Sequence, residues 1–427
     1  MSEKIIRDPV HDVIAFRLHR PLEALLFRLL NAREFQRLRR IRQLGMASLA
    51  YPGADHSRYS HCVGVMETAR KMLNQLRQSF AIDEHQETIC LCAALLHDLG
   101  HGPFSHVFER VSGIDHETQT QRIILDPESE VNQILSAHDT GLPLMIVEML
   151  SCRPTRTFYC DVLSSQLDAD RLDYLLRDNL MTGSQYGNYD LGWLLHALTI
   201  DPASNRLAIH WKGVSAVEAY LQARYHMYRN VYFHKVVRAG EGMLRLALQR
   251  ARRLAVQDRI AWPRQDSPVH KALLGQQLSV DEFTDLDDIS VTYCFKLWAA
   301  GDEPVLAELC RGMLYRRVFK TMDLGGIEDP AAVQRIVRAV SDVITQAGGE
   351  AAYEMFYDEA TDTPYENYPD SGAESAGILV RDHTGVLREF STISPMVGAL
   401  GRQLSFRRLH VAEQWRALAE DVVRVKK

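Results

Sequence analysis

The 427-residue sequence has no run approaching the roughly 18 apolar residues that a membrane-spanning helix needs. Its opening residues, MSEKIIRDPVHDV, lack the apolar stretch of a secretory signal, so a cytoplasmic protein without a membrane partner is expected. A phosphate-cradling GxxxxGK loop is missing too, which excludes a P-loop nucleotide hydrolase. Internal repeats and low-complexity tracts are likewise absent, which excludes solenoids and disordered linkers. Positive charge is not in excess: 49 Lys and Arg stand against 55 Asp and Glu, a net charge of −6 that argues against a nucleic-acid coat. Nor is there a disulfide framework. Cys62, Cys90, Cys92, Cys152, Cys160, Cys294 and Cys310 are odd in number and lie mostly in apolar, helix-like stretches, where buried reduced thiols are expected.

What is present suits a large core. Hydrophobic residues make up 46% of the chain, and its length fits two or so domains. Apolar residues recur at helical spacing through most of the first 325 residues, as in PLEALLFRLL, ETICLCAALLHDLG and DRLDYLLRDNL. RLAIHW at 206–211 is a short strand candidate. The expected fold class is mainly α. A break falls at Leu324-Gly325-Gly326, after which Asp329-Pro330 reads as the capped start of a helix. An acidic, Tyr-rich stretch at 350–375 precedes GILVRDHTGVLREFS, which reads as a hairpin with its loop at Asp382–Gly385. From Pro395 to Lys427 helical spacing returns. The expected division is 1–325 as a helical domain and 326–427 as a smaller α+β lobe.

Histidine is concentrated. Seven of the seventeen (His56, His61, His85, His97, His101, His106 and His116) fall between 56 and 116. At the centre, His97-Asp98-Leu99-Gly100-His101-Gly102-Pro103 follows an apolar helix that the glycines and proline stop at once. An ionisable pair at the end of such a helix costs several kcal/mol unless something pairs with it. A metal ion is the natural partner. His61, in a helix with Val63, Met66 and Ala69 on its apolar face, is a candidate third ligand. Asp170 is a fourth, on a helix face with Tyr174 and Asp178. Mixed imidazole and carboxylate ligation with positions left for water suits Fe, Mn, Zn, Co or Ni better than Ca. Arg224, Tyr228 and Tyr232 share a helical stripe that is either a half-buried aromatic face or a nucleotide grip. The five arginines at 33, 37, 39, 40 and 42 read as a solvated face, with a nucleic-acid surface as the second choice.

The H…HD…D pattern resembles the HD superfamily. RDPVHDVI, FQRLRRIRQLG, YPGADHSRYSHCVGV, LLHDLGHGPFSH, LDADRLDYLLRD and YFHK together resemble its deoxynucleoside triphosphate triphosphohydrolases. The likeness covers about residues 4–325 and includes the animal enzyme that joins a sterile-alpha-motif domain to an HD domain, without that extra domain. It implies His61, His97, Asp98 and Asp170 as metal ligands, and His101, His106, Glu109 and His116 as the catalytic and phosphate-handling groups. Gln43 and Asp178 would hold the sugar 3′-hydroxyl. Arg58, Arg171, Tyr174 and Arg224 would contact the phosphates, with Mg²⁺ on those phosphates, and Tyr232 would crowd the 2′ position. A regulatory nucleotide between subunits is implied at Lys4, Asn31, Gln36, Arg39, Arg316 and Lys320, and with it a homo-oligomer, dimer or tetramer. Three positions depart from the family pattern. Glu109 replaces an Asp, Phe233 replaces a Gln, and Asn31 stands where an Asp reads guanine; an amide there donates as well as accepts.

Under this reading the products are a deoxynucleoside and inorganic triphosphate, His106 is the acid for the leaving 5′-oxygen, and Glu109 orients it. Two rivals remain: an HD phosphodiesterase or nuclease acting on DNA ends or other nucleotides, and a nucleotide- or nucleic-acid-binding protein with a relict metal site.

Overall fold

The computed structural model describes residues 3–153, 155–363, 365, 377–400 and 403–426. Of the acidic stretch at 350–375, residues 364 and 366–375 lie outside the described residues. The fold is mainly α, as the periodicity predicts, with three small sheets among the described residues. At its centre is the helix Glu84–Leu96, opened by the Asp83 carboxylate, which accepts the Gln86 N–H at 2.8 Å. Every residue from Ile89 to Leu96 is buried, as expected for a helix apolar on all sides. The helix Arg58–Leu76 packs against it and against the helix Ala169–Thr182. That second contact depends on Gly64. A Cβ there would stand 2.0 Å from the Asp173 carboxylate and 2.2 Å from the Arg177 guanidinium. All seven cysteines are free, six of them buried.

Two segments differ from the expected pattern. The chain opens with an antiparallel hairpin, Glu3–Asp8 on Asp12–Arg17. Only Asp8 of the first strand and Ile14 and Phe16 of the second are buried, too few positions for an alternation to mark the hairpin. Within Pro395–Lys427, expected to be helical, Leu404–Val411 is a strand between Lys320–Asp323 and Met355–Asp362, antiparallel to both. Its state is set by those two partners, which lie far away in sequence.

Sheet hydrogen bonds cross the Gly325–Gly326 break twice. Lys320–Asp323 pairs with Leu404–Val411, and Arg206–His210 pairs in parallel with Leu379–Arg381. The strand at Arg206–His210 and the hairpin of Leu379–Arg381 with Leu387–Glu389 are as expected. So is the helix Pro330–Gln346, whose first N–H groups bond to Asp329. Beyond the break a second, smaller core gathers Val333, Ile336, Val340 and Ile344 against Leu409 and Val411. Among the described residues no helix is long and apolar enough to cross a membrane.

Candidate metal centre and nucleotide cleft

The helix Glu84–Leu96 ends at His97, and the turn that follows is held from outside. Arg37 is buried and donates to the carbonyls of His101 at 2.8 Å, Leu286 at 2.9 Å and Leu99 at 3.5 Å. Burial pushes its guanidinium down to about 9. The solvated face expected of the five arginines is therefore wrong at Arg37, and Arg40 pairs with Asp287. Carbonyls presented by a distant turn decide this, and helical spacing does not register them. Gly100 lets the helix His116–Leu125 close onto the turn, since a Cβ would meet the His116 carbonyl at 2.2 Å. The Gly100 N–H donates to Thr120 Oγ1 at 2.8 Å.

His61, His97, Asp98 and Asp170 converge from three helices. The donor atoms of His61, His97 and Asp170 lie within 4.8 Å of one another. His61 Nε2 stands 2.9 Å from Asp170 Oδ1 and 4.0 Å from Asp98 Oδ2. His97 Nε2 is 3.5 Å from Asp98 Oδ1 and 3.7 Å from Asp170 Oδ1. Donors about 2.1 Å from one ion in tetrahedral array stand roughly 3.4 Å apart, so the spacing fits. The tautomers fit as well. His97 Nδ1 donates to the Ala94 carbonyl at 2.9 Å, and its buried Nε2 has no hydrogen-bond partner among the described residues. His61 Nδ1 donates to Asp173 Oδ2 at 2.9 Å, leaving Nε2 to face the two carboxylates. Burial alone would lower His61, but hydrogen bonds to Asp170 and Asp173 lift it to about 10. Asp98 and Asp170 bring two carboxylates to that buried point. A divalent cation is therefore the group this donor set suits, with its imidazoles favouring a transition metal.

Beside the centre stands a second group. His101 and His116 stack at 4.0 Å between ring centroids, and the His106 ring lies 5.2 Å and 5.3 Å from them. Glu109 accepts from His106 Nδ1 at 3.1 Å and from His116 Nδ1 at 3.2 Å. Burial, then Arg58, keeps His101 well below the usual imidazole range. Arg58 pairs with Asp98 and donates to Ser105 Oγ at 2.7 Å, while Phe104 and Ser105 hold positive φ angles of 51° and 52°. That strained backbone aims the Ser105 hydroxyl at the guanidinium. Burial would raise Asp98, but Arg58, His97 and His101 together outweigh it and keep the carboxylate well below its usual value.

A cavity of about 640 Å³ opens on His97, Asp98 and Asp170, walled further by His116, Gln121 and Arg156. Asp178 accepts from His56 at 2.7 Å and from the Tyr232 hydroxyl at 2.8 Å. The Tyr174 ring meets those of Tyr232 at 6.3 Å and His61 at 6.5 Å. Gln43 is tied by its N–H to the His56 carbonyl and keeps a buried amide oxygen without a partner among the described residues. Arg171 pairs with Asp168 at 3.5 Å, and Arg224 faces Asp362 at 3.6 Å. The expected helical stripe ends in a π turn, Tyr228–Tyr232, that keeps Tyr228 between Arg224 and Tyr232.

Of the residues expected to hold a regulatory nucleotide, Gln36 accepts from Arg39, whose guanidinium lies 3.6 Å over Tyr59. Asn31 donates to the Phe27 carbonyl, and Lys4 sits on the first strand of the hairpin. Arg316 donates to the Leu49 carbonyl and Lys320 pairs with Glu413. Among the described residues, no hydrogen bond or ion pair joins Arg316 or Lys320 to Gln36 or Arg39. His11, His56, Asp173 and Arg177 had no role in the sequence reading. Their one sequence signal is that each lies inside a quoted motif.

A helical core whose helices bring two imidazoles and two carboxylates to one point, in the order H…HD…D, defines an HD-domain phosphohydrolase. The HD domain family matches residues 58–150 and the HD associated region matches residues 189–264. The uncharacterized protein YwfO of Bacillus subtilis is 35% identical over 402 residues, 93% of this chain and 89% of its own. The chain belongs to this HD-domain family. It is also similar to the deoxynucleoside triphosphate triphosphohydrolase SAMHD1 of Danio rerio, 30% identical over 58% of this chain and 45% of that protein. A crystal structure of a phosphohydrolase from Bacteroides thetaiotaomicron matches with a TM-score of 0.82 at 28% identity, over 96% of this chain and 100% of that one.

Proposed function

We propose that the protein hydrolyses deoxynucleoside triphosphates to a deoxynucleoside and inorganic triphosphate. The observation that carries this reading is the convergence of His61, His97, Asp98 and Asp170 beside the His101–His106–His116 group, with the Tyr174 ring standing next to both His61 and Tyr232. Similarity to the named triphosphohydrolase supports it. His61, His97, Asp98 and Asp170 would hold a divalent ion (Fe, Mn, Zn, Co or Ni). Bound there, the ion supplies Lewis acidity toward the α-phosphate and lowers the pKa of water. Arg171 and Arg224 offset the charge of the triphosphate, which Mg²⁺ accompanies, and Arg58 acts from behind Asp98. His106 protonates the departing 5′-oxygen while Glu109 holds its Nδ1. Tyr232, fixed by Asp178, closes the space a 2′-hydroxyl would take.

An activating nucleotide at Lys4, Gln36, Arg39, Arg316 and Lys320 would lie between subunits, because within one chain Arg316 and Lys320 bond to Leu49 and Glu413 and not to the Gln36–Arg39 pair. One observation favours a second reading, a phosphodiesterase on DNA ends. Arg110 lines both the recess of His106 and Glu109 and a cleft with Arg252 and Arg253.

A product assay separates the two. The protein with Mn²⁺ or Fe²⁺ plus Mg²⁺ is incubated with each deoxynucleoside triphosphate, singly and mixed, beside ribonucleotides and a short DNA. Deoxynucleoside with inorganic triphosphate is expected, and turnover only in mixtures would mark the activator. Cleaved DNA with the triphosphates untouched would overturn the first reading in favour of the second.

A further inference from the structure

The N-terminal hairpin reaches the metal centre through buried groups. His11, in its turn, lies 2.8 Å by Nε2 from Asp173 Oδ1. Lys71 Nζ stands 3.1 Å from His11 Nδ1. An ammonium only donates, so Nδ1 accepts and Nε2 carries the proton that goes to Asp173. The other oxygen of Asp173 accepts from His61 Nδ1 at 2.9 Å, and His61 Nε2 is the atom that faces the centre. Arg177 grips the same carboxylate at 2.8 Å through two nitrogens and binds Asp8 at 2.7 Å. Asp8 in turn accepts the N–H groups of Val10 and His11. Asp173 and the side chain of His11 are fully buried, so neither bond is exchanged for water.

We infer that His11 is a positioning residue: through Asp173 it fixes the ring of His61 and so sets the affinity of the centre for its metal. This rests on the reading of His61, His97, Asp98 and Asp170 as ligands. Without His11 the Asp173 carboxylate keeps the two-nitrogen grip of Arg177 but loses the second donor to Oδ1, and the buried carboxylate re-seats against its remaining donors. The His61 ring then gains rotational freedom at the position where its lone pair must meet the ion. Losing such an outer partner weakens metal binding by about 10–100-fold. The hairpin that carries Lys4 is thereby wired to the centre.

The test titrates the metal-stripped full chain with Mn²⁺ and reads the unbound ion by electron paramagnetic resonance. His11→Leu, similar in bulk but without a donor, is expected to bind Mn²⁺ about 10–100-fold more weakly than wild type. His11→Gln, whose amide donates from near the position of Nε2, is expected to keep wild-type affinity. Ile14→Ala removes buried packing from the same hairpin and is expected to lower the melting temperature with Mn²⁺ affinity unchanged. Wild-type affinity in His11→Leu overturns the inference and leaves the centre standing. Equal weakening in Ile14→Ala also overturns it, since hairpin integrity alone would then account for the effect. A wild-type chain that takes up no Mn²⁺ overturns the centre and the inference together.

Discussion

At His106 the ring is mostly exposed on the cleft, with Glu109 behind Nδ1 and Nε2 left for a substrate. Burial and Arg58 both lower its pKa, so an arriving polyanion is what restores the proton an acid needs. His106→Ala should cut kcat by roughly 10²–10⁴-fold with metal content unchanged. Unaltered turnover in a metal-loaded variant would remove the assignment. His410 makes a different prediction. It is wholly buried against Phe356 and Thr321, and burial pushes it down to about 4 with Asp358 opposing and Arg408 and Arg238 assisting. Its contribution to stability is complete above the unfolded value of 6.5 and is lost progressively as pH falls from there to about 4. Between pH 7.5 and 4.5, wild type should lose about 2–3 kcal/mol more than His410→Gln in urea denaturation. Matching losses in the two proteins would show that His410 stays neutral throughout. The four residues proposed as ligands were legible because each stands at a helix end or on a helix face within a short motif. Asp173, His11 and Arg37 were not. Asp173 pairs with His11, 162 residues away, and with His61, 112 residues away; Arg37 pairs with carbonyls 62 to 249 residues away, and nothing in local spacing records such a pairing.

Among the elements, the pair Arg58–Leu76 and Ala169–Thr182 does most for the centre, since one carries His61 and the other Asp170 and Asp173. Their separation is limited by the absent side chain of Gly64. Gly64→Ala should destabilise the protein by about 1–3 kcal/mol, the usual cost of overpacking. It should also lower bound metal per chain, measured by elemental analysis, because the new methyl group displaces the Asp173 carboxylate from His61. Full metal content would mean that the helices shift apart without disturbing the ligands. The helices of the core were legible because one-sided burial leaves a 3.6-residue period, while the all-round burial of Glu84–Leu96 leaves a continuous apolar run. Leu404–Val411 was not, because LSFRRLHV carries two adjacent arginines and is paired along both edges.

For the whole molecule, a bound ion ties together three helices of the larger core, so chelation should be felt globally. Free ion at about 1,000 times its Kd adds roughly 4 kcal/mol to the native state. The melting temperature should therefore fall when the ion is stripped and recover on adding it back. A melting curve indifferent to chelator would argue that the carboxylates and imidazoles are held by one another alone. The two sheets that cross Gly325 make the lobe a poor candidate for removal: a chain ended at Gly325 leaves Lys320–Asp323 without its partner and should aggregate. A monodisperse truncated protein would contradict this. The place of Leu404–Val411 also sets an order of events during synthesis. Lys320–Asp323 and Met355–Asp362 both wait for the strand between them, so neither finds its neighbour until Val411 has left the ribosome. The helical body that holds the metal ligands can assemble on the nascent chain, and the lobe is added last to a body already folded.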